Sequence, residues 1–368
     1  MASIETVFKS DHEEVVFFND QNSGLKSIIA IHNTRLGPAL GGLRMWKYDS
    51  VDHAIDDVLR LSRGMTYKAA VAGLNLGGGK AVIIADPKTD KSEALFRTFG
   101  SFVDSLNGRY ITAEDVGTDV NDMEFIFMET SNVVGVAKTH GGSGDPSPWT
   151  ARGVLEGIRA CVEVKLGKDS LKGLSVAVQG AGNVGRELIE LFLDSEMRVF
   201  VCDIDRSRCD QYQNRPNISV VATDEIYDAD VDIFCPAALG AVINEKTLAR
   251  LRCKIVAGSA NNQLATPECG DVLYAKKILY APDYAINAGG LMNVSIEFEG
   301  YDELRANRMI RNIYYAIKTI LHDSQKENLP EYRCADRVAE KRMAAISHLR
   351  GRYLGKTQPT FPGRIVKR

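Results

Sequence analysis

The stretch LSVAVQGAGNVGRELIELFL, residues 174–193, limits the possible folds more than any other part of the chain. Its apolar opening predicts a strand, and glycines at 180, 182 and 185 spell G-x-G-x-x-G directly before a helix-forming segment. The three glycines serve different physical ends. Gly180 permits the tight turn, Gly182 lets backbone approach a pyrophosphate, and Gly185 lets helix and sheet pack. Asn183 and Val184 open the helix, whose N-terminus supplies positive potential for a phosphate. The next strand, RVFVCDI, ends near Asp203, 18 residues past Gly185, where an acid can accept from ribose hydroxyls. This combination points to a dinucleotide, and the charge of Asp203 favours NAD, with Arg206 and Arg208 nearby keeping NADP open.

The surroundings agree. LSVAVQ, RVFVCDI, VDIFC, CKIVAG and KILYAP are short apolar strands separated by helical or turn segments, a pattern that argues for a parallel, doubly wound α/β sheet. Their ends release the chain at CPAALG (including Ala237), at GSANNQ (including Asn261 and Asn262) and at PDYAINAGG, where ligands bind in open sheets. The first half differs. Strands are expected in SIIAIHNT, KAVIIAD and RYITA, with helices in VDHAIDDVLRLSRGMTYKAAV and SEALFRTFGSFVDSL, which gives a mixed α/β domain. Lys80, Glu114 and Asp115 are expected at strand ends. Between the two halves the Gly-, Ser- and Pro-rich VGVAKTHGGSGDPSPW reads as a connection. The expected domains are therefore 1–135 and 150–325. Ser147 as N-cap and Pro148 at the first turn predict a helix running to Leu166 and ended by Gly167. Two helices, in DELRANRMIRNIYYAIKTILHDSQ and EYRCADRVAEKRMAAISHLR, close the chain, and the segment 331–368 is expected to return to the first domain.

Composition excludes several classes. With 45% hydrophobic and 25% charged residues and a net charge of -3, the chain reads as globular, without the basic excess that nucleic acid or an anionic membrane requires. The tail from Arg352 to Arg368 is basic and reads as a solvated end or an oligomer contact. Seven cysteines without C-x-x-C spacing suggest reduced thiols in a cytoplasm, and six dispersed histidines give a metal site no support. No signal peptide and no long apolar span is present, so a cytoplasmic protein is expected.

In GMTYKAAVAGLNLGGGKAVI, residues 64–83, Lys68 and Lys80 flank a run ending in three glycines. A triphosphate loop would need glycine at 74 and a hydroxyl after the lysine, but the chain has Leu74 and Ala81. The alternative is a carboxylate site, in which one ammonium pairs with an acid group and its charge lowers the pKa of the other so that it acts as a base.

Taken with LGPALGGLRMW, GRYITAEDVGT, VAVQGAGNVG, GSANNQL and YAPDYAINAGG, this stretch resembles the amino acid dehydrogenases of the glutamate, leucine, phenylalanine and valine type over roughly residues 20–350. The resemblance implies a substrate domain, a hinge and a Rossmann-type NAD domain, with the reaction in a cleft between them. It implies that Lys68 binds the substrate α-carboxylate, Lys80 is the catalytic lysine, and Asp115 moves protons at the amine beside an uninvolved Glu114. Thr150 and Asn261 would contact the nicotinamide amide, and Asn262 would be a second substrate anchor. It also implies a homo-oligomer, octameric in leucine enzymes.

Substrate preference depends on few positions. Gly41 and Gly42 fall in the substrate stretch GPALGG, and Leu40 stands where glutamate enzymes carry a lysine for the distal carboxylate; a charged side chain against it would cost several kcal/mol. Ala113 is of the leucine type, Leu291 resembles the phenylalanine type, and Val294 completes an apolar wall. Trp149 also departs from the expected valine. Branched aliphatic amino acids are the expected substrates, aromatic ones (phenylalanine or tryptophan) the alternative, and a noncatalytic NAD-binding assembly protein the alternative of another class.

Overall fold

The computed structural model describes residues 4–238, 240–348 and 351–355. Most of the basic tail therefore lies outside the described residues. The described residues form two compact units, one of residues 4–66, 76–134 and 346–355 as far as they are described, the other of residues 67–75 and 135–345. The division after Val134 coincides with the expected boundary, but two segments fall differently. The helix Glu331–Ser347, expected to return to the first domain, groups almost wholly with the second unit, together with residues 67–75, which the expected domain 1–135 contained. Its Arg342 guanidinium donates to the carbonyls of Leu74 at 2.6 Å and Gly73 at 3.0 Å, so residues 67–75 go with it. Only the chain beyond it returns, where the Tyr353 amide donates to Thr34 Oγ1 at 2.9 Å.

The first unit is built on a five-stranded sheet. Its strands are β1 (Glu14–Asp20), β2 (Leu25–Asn33), β3 (Ala39–Trp46), β4 (Gly77–Ile84) and β5 (Tyr110–Glu114), in the order β1-β2-β4-β3-β5. β1 to β2 and β2 to β4 are antiparallel; β4, β3 and β5 are mutually parallel neighbours. The sheet combines antiparallel and parallel pairs, and with its helices it makes the expected mixed α/β domain. β3 escapes a propensity reading, because it contains the Gly41-Gly42 pair that strands usually avoid, whereas β1, EVVFFND, has strand propensity but is not among the expected strands. Space explains the pair: a Cβ on Gly41 would lie 1.7 Å from the Gly79 carbonyl oxygen, and one on Gly42 would lie 2.8 Å from Asp115 Cβ. The helix Glu93–Ser105 begins where the Ser92 side chain accepts from the Leu95 amide, and it buries Leu95, Phe96, Phe99 and Val103, one face of a 3.6-residue period.

The second unit carries β6 (Ser175–Gln179), β7 (Arg198–Cys202), β8 (Ile218–Val220), β9 (Ile233–Pro236), β10 (Ile255–Val256) and β11 (Leu279–Tyr280). All neighbours are parallel, in the order β11-β10-β9-β6-β7-β8. This is the strand order of a dinucleotide-binding sheet, with its switch point between β6 and β9. Both faces of such a sheet are covered, which is why Val176, Ala177 and Val178 are all fully buried. The helix Ser147–Leu166 starts one residue before the expected position, with Pro146 at its cap, and ends as expected at Gly167, whose φ of 66° is left-handed. The long segment after Asp302 divides into Glu303–Ile310 and Asn312–Glu327. At the break Tyr314 N–H bonds back three residues to the Arg311 carbonyl, a tighter turn than the α-helix allows.

Candidate active site

Three adjacent parallel strands of the first unit and the helix that bears Asp57 bring four charges together. Lys80 is the fourth residue of β4, inside the strand and not at its end, and its side chain is 5% exposed. Its ammonium lies 2.9 Å from Asp115 Oδ1, just past β5. Arg44 of β3 donates from Nε to Asp115 Oδ2 at 2.9 Å and from Nη1 to Asp57 Oδ2 at 2.8 Å. Tyr48 and Arg60 also donate to Asp57, at 2.8 and 3.0 Å. The turn bearing Asp115 is fixed by Thr118 Oγ1, which accepts from the Asp115 amide at 3.0 Å and donates to the Leu43 carbonyl at 2.9 Å.

Burial and charge set the ionisation. Burial lowers the Lys80 pKa, Asp115 opposes this and Arg44 adds to it. Burial by itself would raise Asp115, but Lys80 and then Arg44 outweigh it and bring the carboxyl down to about 2. Arg44 is held charged by Asp115 and Asp57 against the cost of burial. A buried amine with a lowered pKa beside a carboxylate held ionised is suited to proton transfer at a substrate nitrogen or a water. Arg44 thus supplies, inside this unit, the lowering charge that sequence reasoning sought from Lys68. Arg44 and Asp57 were missed; the signal was an Arg in LGGLRMW two residues past the glycine pair.

The predicted pocket residues of this unit share neighbouring strands. Leu40 pairs with Gly78 and Ile111, Gly41 with Thr112 and Gly42 with Ala113. Leu40 is 1% exposed. The three glycines of β4 meet other protein atoms: a Cβ on Gly77 would be 2.1 Å from Asn33 O, on Gly78 2.1 Å from Thr66 N, and on Gly79 2.7 Å from the Tyr110 ring. They let strands and helix close up on the sheet that holds Lys80.

In the second unit the loop from Gly180 to Gly185 leaves β6. Gly180 has a φ of 109°, and a Cβ there would press on Ala237 and Ala238; one on Gly185 would lie 2.0 Å from the Gly180 carbonyl oxygen. Gly182 is different, because only Arg208 Nη1 comes within reach, at 3.5 Å. The helix Asn183–Asp194 starts directly after it, and a cavity of about 300 Å³ opens there, lined by Ala181, Gly182, Asn183, Arg186, Arg208 and Gln211. Val184 is half-buried in the first turn of that helix. A loop of this shape, with free space where a phosphate would approach the helix end, fits a dinucleotide. Asp203, beyond β7, accepts from the Ala181 amide at 2.7 Å and the Asp205 amide at 2.8 Å. Ala237 donates to the Gln179 carbonyl at 2.8 Å across the switch point.

Around β10 and β11, Asn262 takes a left-handed φ of 51°, and the Asn261 side chain accepts from Asn287 Nδ2 at 2.7 Å. Asn287, missed although it lies in PDYAINAGG, is 3% exposed and leaves its own Oδ1 without a hydrogen-bond partner. Asp283 accepts from the amides of Gln263 at 2.8 Å and Tyr284 at 2.6 Å. Burial raises this carboxyl, against those two amides, the Lys68 ammonium and the Asn262 amide. Lys68 and the Asn261–Gln263 turn thus share one buried acid. Leu291 and Val294, three residues apart on the helix Gly289–Ser295, are 8% and 7% exposed and share a face. The Thr150 hydroxyl donates back to the Pro146 carbonyl at 3.0 Å, next to the buried Trp149. Glu297, also missed, accepts from the amides of Gly135 at 3.1 Å and Ser143 at 2.8 Å and so ties down the connecting segment.

A parallel dinucleotide-type sheet and a lysine–aspartate–arginine cluster on a separate mixed sheet are the marks of a dehydrogenase with two functional units. The chain belongs to the Glu/Leu/Phe/Val dehydrogenase family: residues 12–132 match the model of that family's dimerisation domain, and residues 141–207 and 201–351 match its Glutamate/Leucine/Phenylalanine/Valine dehydrogenase model. It is an amino acid dehydrogenase. Among its relatives, leucine dehydrogenase of Thermoactinomyces intermedius is 51% identical over 346 residues, covering 94% of each chain. Phenylalanine dehydrogenase of Bacillus thermotolerans is 46% identical over 357 residues, 96% of this chain and 94% of the relative. The crystal structure of L-tryptophan dehydrogenase from Nostoc punctiforme superposes with a TM-score of 0.81 at 43% identity, covering 94% of this chain and 99% of that one.

Proposed function

We propose that this chain catalyses the NAD-dependent, reversible oxidative deamination of leucine, valine or isoleucine to the 2-oxo acid and ammonia, as in branched-chain amino acid catabolism. The buried Lys80–Asp115–Arg44 cluster carries the reading, and the similarity to leucine dehydrogenases at 51% identity supports the substrate class. Bound nicotinamide supplies the acceptor for the hydride that leaves the substrate α-carbon. Lys68 holds the substrate carboxylate, and Asn262 steadies it. Asp115, ionised at rest, first takes a proton from the substrate ammonium so that hydride can leave; Lys80 in its neutral form takes a proton from water as that water attacks the iminium carbon, Asp115 returns its proton to the nitrogen, and ammonia leaves as the hydroxyl proton is lost and the carbonyl forms. Atoms balance as amino acid, NAD and water giving 2-oxo acid, ammonium, NADH and a proton.

The roles follow from chemistry. Burial and Arg44 lower the Lys80 pKa, the direction that a base at working pH needs. Gly180, Gly182, Gly185, Asn183, Val184, Asp203 and Ala237 would hold the dinucleotide, with Thr150 and Asn261 on its amide. Leu40 and Ala113 in the first unit, and Leu291 and Val294 in the second, are taken as apolar contacts of the substrate side chain, with Gly41 and Gly42 letting the strands beside Leu40 close up. No charged partner stands among them for a distal carboxylate. The dimerisation-domain match supports a homo-oligomer, and resemblance to leucine enzymes supports an octamer. Seven free thiols suit a cytoplasmic location.

A second reading, an aromatic amino acid dehydrogenase, is favoured by Leu291 and by the similarity to the phenylalanine and tryptophan enzymes. Initial rates of NADH formation with leucine, valine, isoleucine, phenylalanine and tryptophan decide between them. The aliphatic reading expects the highest kcat/KM on leucine and a loss of at least about 10³-fold in kcat for Lys80→Ala. Higher kcat/KM on an aromatic substrate transfers the pocket to the second reading, and undiminished turnover by Lys80→Ala removes the mechanism.

A further inference from the structure

Asp57 is an acid of the charge cluster that the proposed mechanism does not use. It stands in the second turn of the helix Val51–Val71, its side chain 14% exposed. Oδ2 accepts from Arg44 Nη1 at 2.8 Å and from the Tyr48 hydroxyl at 2.8 Å, and Oδ1 accepts from Arg60 Nη2 at 3.0 Å. Burial by itself would raise this carboxyl, but Arg44, and then the hydrogen bonds of Tyr48 and Arg60, outweigh it and hold it below the usual carboxylate range. Asp57 is therefore a fixed negative charge. Its two cations are not equal. Arg60 is 61% exposed and its pairing is weakened by water, whereas Arg44 is 19% exposed and meets Asp57 where little solvent screens the pair.

Arg44 reaches two acids with different nitrogens, Nη1 on Asp57 and Nε on Asp115 Oδ2. A guanidinium is planar, so holding two of its nitrogens fixes the plane, while holding one leaves the long side chain much of its rotamer freedom. Asp115 in turn has one donor on each carboxylate oxygen, Arg44 on Oδ2 and Lys80 on Oδ1. The hydrogen bonds of Thr118 run to the amide and carbonyl of Asp115 and leave its carboxylate free to rotate. Arg44 stops that rotation. An Arg44 released by Asp57 would let both oxygens turn toward Lys80 and strengthen the pairing that opposes the neutral lysine.

We propose that Asp57 is a positioning residue for the proton transfers: it holds Arg44 so that Arg44 occupies Asp115 Oδ2 and Asp115 Oδ1 is presented to Lys80 and to the substrate nitrogen. The inference rests on the proposed roles of Lys80 and Asp115 and adds the group that orients them. Asp57 acts through Arg44 and not on the substrate.

Steady-state rates of NADH formation from the preferred amino acid, with calorimetric titration of NAD, test this on the parent, Asp57→Asn, Arg44→Met and the double variant. Asparagine has the shape of aspartate and keeps an acceptor for Arg44, but not the charge that holds the guanidinium. The kcat of Asp57→Asn is expected to fall about tenfold, the scale of a slightly misplaced reacting group. KM for the amino acid and Kd for NAD should stay within about twofold of the parent. On the Arg44→Met background the same change should cost less than about twofold, because the residue through which it acts is gone. Tyr48→Phe removes one donor from Asp57 and leaves the ion pair; its kcat should fall by a smaller factor, and not at all on Arg44→Met. A merely structural tie between helix and sheet would lower the thermal midpoint and reduce kcat by the same factor on both backgrounds, which overturns the proposal. An unchanged kcat in Asp57→Asn, or a loss expressed in KM alone, overturns it as well. A parent that oxidises none of the amino acids tested strikes the proposed function itself, whereas an active parent with an indifferent Asp57→Asn strikes only this inference.

Discussion

Each unit of this chain contains a glycine run and a buried acid, and in both features the two units differ. The glycines of β3 and β4 give their space to other protein atoms, as when Gly41 abuts the Gly79 carbonyl, whereas Gly182 of the second unit has only the end of an arginine near it. The acids differ as well. Asp115 has two cations against it and is brought down to about 2, while burial pushes Glu331, at the start of the helix Glu331–Ser347, up to about 7. Glycine runs that look alike in sequence therefore let protein atoms close up in one place and leave open space at Gly182 in the other. Burial of a carboxyl fixes its charge only together with what is placed beside it.

Replacing one glycine from each run should separate the two roles by the largest margin. Gly41→Ala puts a Cβ 1.7 Å from a carbonyl oxygen within paired parallel strands, and no flexible side chain is there to give way. A loss of more than about 4 kcal/mol, enough to prevent accumulation of folded protein, is expected. Gly182→Ala meets only Arg208 Nη1 at 3.5 Å, so the protein should fold with an unchanged thermal midpoint. Its dinucleotide Kd should weaken by about tenfold or more, because the new methyl stands where the pyrophosphate comes closest. A folded, stable Gly41→Ala protein, or a Gly182→Ala protein that does not fold, would dissolve the distinction.

Much of this was legible in the sequence, for reasons that differ by unit. The parallel sheet was readable because buried parallel strands are continuous apolar runs, and Gly180, Gly182, Gly185 and Asp203 sit at spacings fixed by one turn and one crossover. Lys80 and Asp115 were readable as chemistry. Arg44 and Asp57 were not, since their meeting depends on β3 lying between β4 and β5, an order that no local pattern encodes. The packing role of the three glycines of β4 was not legible, because sequence shows flexibility and not neighbours. The destination of the helix Glu331–Ser347 was hidden likewise, being decided by where Arg342 finds carbonyls.

The charge cluster of the first unit gives a second, smaller test. If the neutral form of Lys80 is the base, log kcat/KM for amino acid oxidation rises with pH through an ionisation below that of free lysine, because burial lowers it from 10.5. Arg44 lowers that ionisation, so Arg44→Met should move the rising limb to higher pH. Asp115 raises it, so Asp115→Asn should move the limb to lower pH, whatever it does to the maximum. Shifts of about 1 unit in opposite directions are expected. A limb that stays in place in both variants would mean that another group is being titrated.

The smallest effect concerns the acid that has no such cluster. Glu331 is 7% exposed, and its carboxyl is raised from 4.5 to about 7, by burial first, against its own and the Tyr280 backbone amides and Lys165. A raised acid binds its proton more tightly in the folded chain than in the unfolded one. The stability this confers is full below about 4.5 and is lost as pH rises toward 7, beyond which the folded protein carries a buried negative charge. Glu331→Gln keeps the shape and cannot ionise. Its thermal midpoint should exceed that of the parent by about 2–4 °C near pH 8, the size expected for roughly 1 kcal/mol in a unit of this length, with little gain near pH 5. The dependence on pH, more than the gain itself, separates ionisation from packing, because a better-packed amide would raise the midpoint equally at both. An equal gain at the two pH values would show that Glu331 stays neutral throughout, and the contrast with Asp115 would then rest on packing and not on charge.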